Sequence, residues 1–349
     1  MGLENIEIQT YKDIAKLPWF KIGDDGQICI DPAAGVPAVI DDHSHMGWSF
    51  FFGRVIDLFD EEPKTRYFYD YNYPQDVLNE HNHPTESETN ELTLDIALML
   101  FRCPPIGKTQ TLPNLLEEMN RFNVSYICSA PIEVPFRSRH ARATFSVAEK
   151  TDRVLPYAAV HPYSPNWEKR IREMYDQGAM GYKYHPEFQF VPPDSKYAMR
   201  IFALCEELDL PVLCHSGCTG QEPGFMQKLA GLERYRVIFE SFPKLKFIMG
   251  HSGLRMQEPA VAYSNEFENV YLDLAGQTTN EVKGILETAD HDKIMYGSDW
   301  AFYPMGVTLA RTLVALEGYP EEVTQKILHD NAYRILELDK KLPRVNAAK

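Results

Sequence analysis

From residue 124 onward, short apolar runs alternate with longer segments whose apolar residues recur three and four positions apart, which is the rhythm of repeated strand and helix units around a parallel sheet. Seven runs read as strands: 124–130 (VSYICSA), 154–162 (VLPYAAVHP), 181–186 (GYKYHP), 211–217 (PVLCHSG), 246–253 (KFIMGHSG), 270–276 (VYLDLAG) and 293–300 (KIMYGSDW). An eighth, 38–45 (AVIDDHSH), stands far upstream. Between them WEKRIREMYDQGA, SKYAMRIFALCEELDL and TTNEVKGILETAD read as amphipathic helices, and EEVTQKILHDNAYRILELDK as a final one. Eight strands alternating with helices predict an α/β fold, a (β/α)8 TIM barrel. The competing open, doubly wound sheet lacks its GxGxxG turn after the first strand, and polar residues cluster at the end of nearly every run, where a barrel brings them to one mouth.

Two stretches fall outside the repeat. Residues 1–37 read as a mixed N-terminal extension, and about 46–112 as an insertion after strand one, too long for an ordinary connection. Its position puts the insertion over the mouth as a lid or partner surface, and neither stretch reads as a separate domain within 1–349. The composition fits one large core, with 44% hydrophobic residues among 349. A net charge of -15 argues against nucleic acid and anionic membrane surfaces as partners. No run is long enough to span a bilayer, the N-terminus carries no secretory pattern, and six scattered cysteines fit a reducing cytoplasm.

Chemistry concentrates at the strand ends. His43 and His45 lie two apart, so strand alternation turns both to one face, here the barrel interior. His215 ends one later strand, His251 the next, and Asp299 the last. Imidazoles and a carboxylate gathered at one rim are the mixed nitrogen and oxygen donors that suit a zinc-type divalent ion. An isolated HxH says little; the joint pattern is far more specific.

On the motifs DDHSH, GYKYHP, LPVLCHSG, FIMGHSG and YGSDW, with HDNAYRIL as a final helix, the chain resembles the amidohydrolase superfamily. Within it, the similarity is to the amidohydrolase-related group of lactonases, hydratases and non-oxidative decarboxylases. The resemblance implies that His43, His45, His215 and Asp299 hold a metal, and that His251 is a catalytic acid or base or a ligand of a second metal. Asp299 would double as a catalytic base. Zinc is the expected ion, with manganese as the alternative. Lys183 stands where some superfamily members carry a carboxylated lysine bridging two metals. Left as an ammonium, it can bind a substrate carboxylate or pair with Asp299 or Glu187. The expectation is one metal and an uncarboxylated Lys183.

Other residues carry less. His185 shares the face of Lys183 and reads either as a polar wall of the site or as a hydrogen-bonded structural histidine. Arg255 reads as a bidentate clamp for a substrate carboxylate or as a structural ion pair. His161 reads as a capped turn, and His81 and His83 as solvated surface. Cys214 and Cys218 lack the second pair of a structural zinc site and read as reduced packing residues. Trp48, Phe50, Phe51 and Phe52 read as core or as an apolar pocket wall.

The leading functional expectation is hydrolysis of an ester, lactone or amide bond in a small carboxylated or cyclic substrate by a metal-activated water. The alternative is a metal-dependent, non-oxidative decarboxylase of an aromatic or unsaturated carboxylic acid. Several resembling decarboxylases carry glutamate for the first histidine of HxH, and histidine at position 43 leans toward hydrolysis. A non-catalytic barrel scaffold would show a missing ligand, and none of the four is missing. The insertion and the resemblance together suggest a homodimer or larger homo-oligomer.

Overall fold

The computed structural model describes residues 3, 6–47, 56–61, 64–81, 106–135, 139–218 and 224–347. Residues 48–55, 82–105 and 136–138 lie outside these, and with them the readings of Trp48, Phe50, Phe51, Phe52 and His83. A two-stranded antiparallel hairpin, β1 (Phe20–Ile22) and β2 (Ile28–Ile30), occupies the N-terminal extension. Eight parallel strands follow in sequential order: β3 (Val39–Ser44), β4 (Val124–Ser129), β5 (Val154–Ala158), β6 (Gly181–Tyr184), β7 (Val212–Gly217), β8 (Phe247–Leu254), β9 (Val270–Asp273) and β10 (Ile294–Met295). These are the eight runs the hydrophobic pattern picks out. The fold is a (β/α)8 barrel.

The last strand is far shorter than its apolar run, and beyond it the chain turns at Asp299, whose φ is 56°. Backbone contacts beyond it still bring the two ends of the sheet together. The Asp42 N–H donates to Tyr296 O at 3.1 Å, the Asp299 N–H donates to His43 O at 2.8 Å, and Ser44 bridges Trp300 in parallel. Asp41 reinforces the seam from its side chain, accepting the His43 N–H at 3.1 Å and the Ser298 N–H at 2.9 Å on one oxygen.

Strand alternation divides the core into two layers. Ile40, Leu155, Tyr157, Leu213, Ile248 and Met295 fill the inside of the barrel, and Ala332, Ile335 and Leu338 close its base. The intervening strand residues, among them Val212, Phe247, Val270 and Ile294, pack outward against the helices. Helix starts follow local chemistry. Ser195 accepts the Ala198 N–H ahead of Lys196–Glu207, and Thr278 with Glu281 forms a capping box ahead of Thr279–Thr288. The expected single final helix is divided into Glu321–Gln325, a π turn over Lys326–Asp330, Asn331–Ile335 and Leu338–Ala347. The hairpin extends the outer core, with Phe20, Ile28 and Ile30 sharing a cluster with Leu115, Phe122 and Leu309.

No helix among the described residues is long and apolar enough to cross a membrane.

Candidate metal centre

Each imidazole at the mouth is oriented by an acceptor behind it. His43 donates from Nδ1 to Asp273 Oδ2 at 2.5 Å, His45 from Nδ1 to Ala130 O at 2.7 Å, and His251 from Nδ1 to Ala275 O at 3.0 Å. Fixing the proton on Nδ1 leaves Nε2 of all three rings as a lone-pair donor, the arrangement in which histidine binds metals. A register irregularity in β3 between Asp41 and Ser44 accompanies the turn of His43 into the cavity, although Ile40 already faces the barrel interior.

The donors converge. One ligand atom each from His43, His251 and Asp299 lies within 4.8 Å of the others. His45 Nε2 is 3.3 Å, and His43 Nε2 3.9 Å, from Asp299 Oδ1, a buried oxygen that accepts no hydrogen bond. An orphaned buried carboxylate oxygen facing imidazole lone pairs is costly unless a cation or proton is shared there, and the donor set suits a zinc-type or manganese-type ion. The residues present therefore fit the expected metal.

Burial dominates the electrostatics. It holds His43 and His45 well below the ordinary imidazole value and takes His251 down to about 3, so all three are neutral at pH 7. The same burial raises Asp299 and lifts Asp273 to about 7. Lys183, 1% exposed, is lowered to about 8 by burial, against the opposing pull of Asp299 and Asp273. Its ammonium remains the predominant form at pH 7.

Lys183 Nζ lies 2.7 Å from His43 Nε2, so the amine faces the very lone pair that a metal would take. Its contact is thus with an imidazole, where the sequence suggested Asp299 or Glu187. Glu187 goes elsewhere, with Oε2 3.3 Å from His215 Nε2. His215 is a neighbour of His251, ring centroids 4.7 Å apart, and stacks on His185 at 4.1 Å and 9°. His185 caps the short helix Pro186–Gln189 through Nδ1.

Arg255 is exposed, held in the left-handed region at φ 62°, and is not part of the cluster. His161 accepts the Tyr163 N–H on Nδ1 and donates to Gln189 O from Nε2, a capped turn. His81, read as solvated surface, is instead three-quarters buried and sits 3.0 Å from Glu281, because residues 64–81 fold down onto the barrel top. Cys214 is buried and hydrogen-bonded to Tyr235, and the described cysteines form no disulfide.

Asp273 and Glu187 are the functional candidates that sequence reasoning passed over. Asp273 had a usable signal, since it is the polar residue closing the run VYLD just as Asp299 closes its own. Asp273 Oδ2 also accepts the His251 N–H at 3.2 Å and Oδ1 the Ala275 N–H at 2.6 Å, so one carboxylate positions two imidazoles. Glu187 follows a proline in a short turn, and nothing in its spacing distinguishes it from a solvated helix start.

A closed barrel carrying histidine and aspartate donors at the C-terminal ends of its strands is the architecture of metal-assisted enzymes that work at a barrel mouth. The chain belongs to the amidohydrolase family, whose profile matches residues 135–338, from beyond β4 to the start of the last helix. His43 and His45 precede that segment. No curated protein sequence gives a significant match. Among solved structures the chain is similar to an uncharacterised TIM-barrel protein from Bordetella bronchiseptica, with 15% identity, TM-score 0.59, and coverage of 86% of this chain and 98% of that one. It is also similar to 2,6-dihydroxybenzoate decarboxylase from Rhizobium, with 18% identity, TM-score 0.55, and coverage of 86% and 99%. A third is 5-carboxyvanillate decarboxylase from Novosphingobium aromaticivorans with bound manganese, with 17% identity, TM-score 0.52, and coverage of 71% and 91%. At these identities the likeness is one of fold.

Proposed function

We propose that this protein is a metal-dependent hydrolase of a small carboxylated or cyclic ester, lactone or amide, with His43, His45, His251 and Asp299 around the reacting centre and His215 beside it. The observation that carries this reading is the convergence of three neutral imidazoles, each with Nδ1 committed to an acceptor, on Asp299, whose Oδ1 lies 3.3 Å from His45 Nε2 and 3.9 Å from His43 Nε2 and which shares a ligand cluster with His251. A divalent ion in that donor set supplies Lewis acidity for an acyl oxygen and lowers the pKa of water.

The chain's own residues then account for the proton movements. His43 and His45, fixed by Asp273 and Ala130 O, bind the ion through Nε2. Asp299 accepts the proton of the attacking water, and its raised affinity for protons, caused by burial, suits it to pass that proton to the leaving group. His251, neutral at pH 7, offers Nε2 as a second acceptor or as a further ligand. The Lys183 ammonium supplies a cation for a substrate carboxylate once such a group draws it from His43.

Decarboxylation is the second reading, favoured by the names of two of the similar structures. There Lys183 and the ion would hold the carboxylate and Asp299, in its protonated form, would deliver the proton to carbon. The two are separated by assaying metal-replete protein on lactones, esters, amides and aromatic or unsaturated carboxylic acids while following proton and carbon dioxide release. Acidification of a weak buffer without gas is the expected result. Carbon dioxide release without hydrolysis of any panel member rejects the hydrolase.

A further inference from the structure

His251 sits in a strained turn. Its φ is 60° and that of Ser252 is 46°, left-handed values that non-glycine residues seldom adopt, so the turn persists only where its surroundings hold it. The loop after β9 does the holding. Asp273 Oδ2 accepts the His251 N–H, Ala275 O accepts from the ring Nδ1, and the Gln277 side-chain amide donates to His251 O.

Gln277, 1% exposed, also opens a chain of hydrogen bonds that leads away from the reacting centre. Its Oε1 accepts from Gln257 Nε2 at 2.8 Å, and the same nitrogen donates to Glu281 Oε1 at 3.1 Å. Glu281 Oε1 takes a further bond from His81 Nε2 at 3.0 Å, while Oε2 completes the capping box with Thr278. Burial pushes the Glu281 carboxyl up, but the bonds from His81 and Thr278 outweigh it, and the group stays ionised at pH 7. An ionised acceptor at one end and a backbone carbonyl at the other fix both amides, since turning either one over would set two acceptors face to face.

The far end of the chain belongs to the stretch that follows strand one. His81 closes residues 64–81 on the barrel top, and beside it Leu78 O accepts the Thr279 N–H at 2.8 Å. The segment thus grips the start of helix Thr279–Thr288, two residues beyond Gln277, by main chain and side chain together.

We propose that Gln277 is a positioning residue for His251, and that His81, through Glu281 and Gln257, ties that position to the docking of residues 71–81 on the barrel. The segment then acts on the site from a distance. When His81 lifts away, Glu281 and Gln257 lose their fixed geometry, and with them goes the partner that aims the Gln277 amide at His251 O. The proposal rests on His251 belonging to the reacting centre, and it holds whichever bond is broken.

The test reads the His251 ring by nuclear magnetic resonance. Protein isotope-labelled at the histidine nitrogens is recorded with zinc added and without, and the His251 signals are assigned by their loss in His251→Asn. Gln277→Leu should shift those signals, and His81→Phe should shift them in the same direction by less. His81→Gln keeps a donor for Glu281 and should restore the parent position. The double variant of His81→Phe with Gln277→Leu should match Gln277→Leu alone, because the outer change has nothing left to act through. Melting temperatures taken alongside identify a Gln277→Leu protein that does not fold, and Gln257→Met, at a partly exposed helix start, then breaks the chain in its place. His251 signals that stay put in His81→Phe, or in whichever of Gln277→Leu and Gln257→Met is used, overturn the proposal. Shifts that add in the double variant also overturn it, since they show two separate effects. If no zinc binds, the metal reading fails and the metal-free spectra still decide this one.

Discussion

Asp273 is the residue on which the metal centre turns, because one carboxylate fixes the His43 ring and the His251 backbone together. Asp273→Asn keeps the shape but offers an amide where His43 needs an acceptor, and should weaken metal affinity by about 10- to 100-fold while the fold persists. Competition with a chromogenic chelator measures the loss, and unchanged affinity would remove Asp273 from the site. His140 gives a second test at this scale. It is buried, accepts the Ile132 N–H at 2.9 Å and donates to Met46 O at 2.8 Å, and burial lowers it to about 4 from an ordinary 6.5. The unfolded chain therefore binds the extra proton first as pH falls. Stability should be full above pH 6.5 and decline toward pH 4, this residue contributing up to roughly 3 kcal/mol of the loss. Denaturant titrations of His140→Phe should show a shallower slope in that window, and an identical slope would contradict the assignment. Strand alternation made Lys183 and His215 legible, whereas His43, His45 and Asp299 were legible only as polar residues closing apolar runs, since a register irregularity turns His43 inward and a left-handed backbone turns Asp299. Arg255 was illegible because a left-handed backbone turns it outward, and Glu187 because its role depends on a four-residue turn.

Among the elements, β10 and the turn after it constrain the site most. Gly297 follows that strand, and a Cβ there would lie 2.4 Å from Asp273 Oδ1 and 2.9 Å from Asp42 Oδ1. Gly297→Ala should therefore push Asp273 off His43, costing about 1–3 kcal/mol in stability as overpacking does, and lower metal content with it. Calorimetry and elemental analysis on the same sample test the pairing; a stable variant with full metal would show that the neighbours yield. The helix Leu112–Arg121 carries a different constraint. Its Glu118 is raised to about 7 by burial and accepts a hydrogen bond from the Tyr67 hydroxyl. A carboxylate whose folded value is raised loses stability as pH rises from 4.5 through 7, so Glu118→Gln should raise the melting temperature at pH 8 and leave it nearly unchanged at pH 4. Equal shifts at both pH values would refute a protonation origin. Hydrophobic periodicity recovers every barrel strand, because each must bury one face or both. It misses strand ends wherever a single residue enters the left-handed region, as Asp299 does, and it misses the division of the last helix by a π turn.

At the scale of the whole molecule, Arg311 fastens residues 71–81 to the top of the barrel. Fully buried, it donates to Val77 O at 2.9 Å, Glu80 O at 2.7 Å and Tyr71 Oη at 3.2 Å, and its guanidinium lies over the Tyr71 ring. Arg311→Lys replaces that planar fork with a point charge and should leave these acceptors poorly served. Limited proteolysis should then cut within 71–81 faster than in the parent, and an unaltered digestion pattern would show that other contacts suffice. Such packing was invisible in the sequence, since an arginine inside an apolar helix and two carbonyls far upstream share no local pattern.

The seam between β3 and β10 has a kinetic meaning as well. His43 and Asp299 stand near opposite ends of the barrel sequence, and they become neighbours only when the first strand meets the last. From β5 to β10 each strand pairs with the one just before it in the chain, whereas closing the ring must overcome the entropy of joining its longest loop. During refolding, helical signal should thus return before metal is captured, and the arrival of a bound ion is a clock for ring closure.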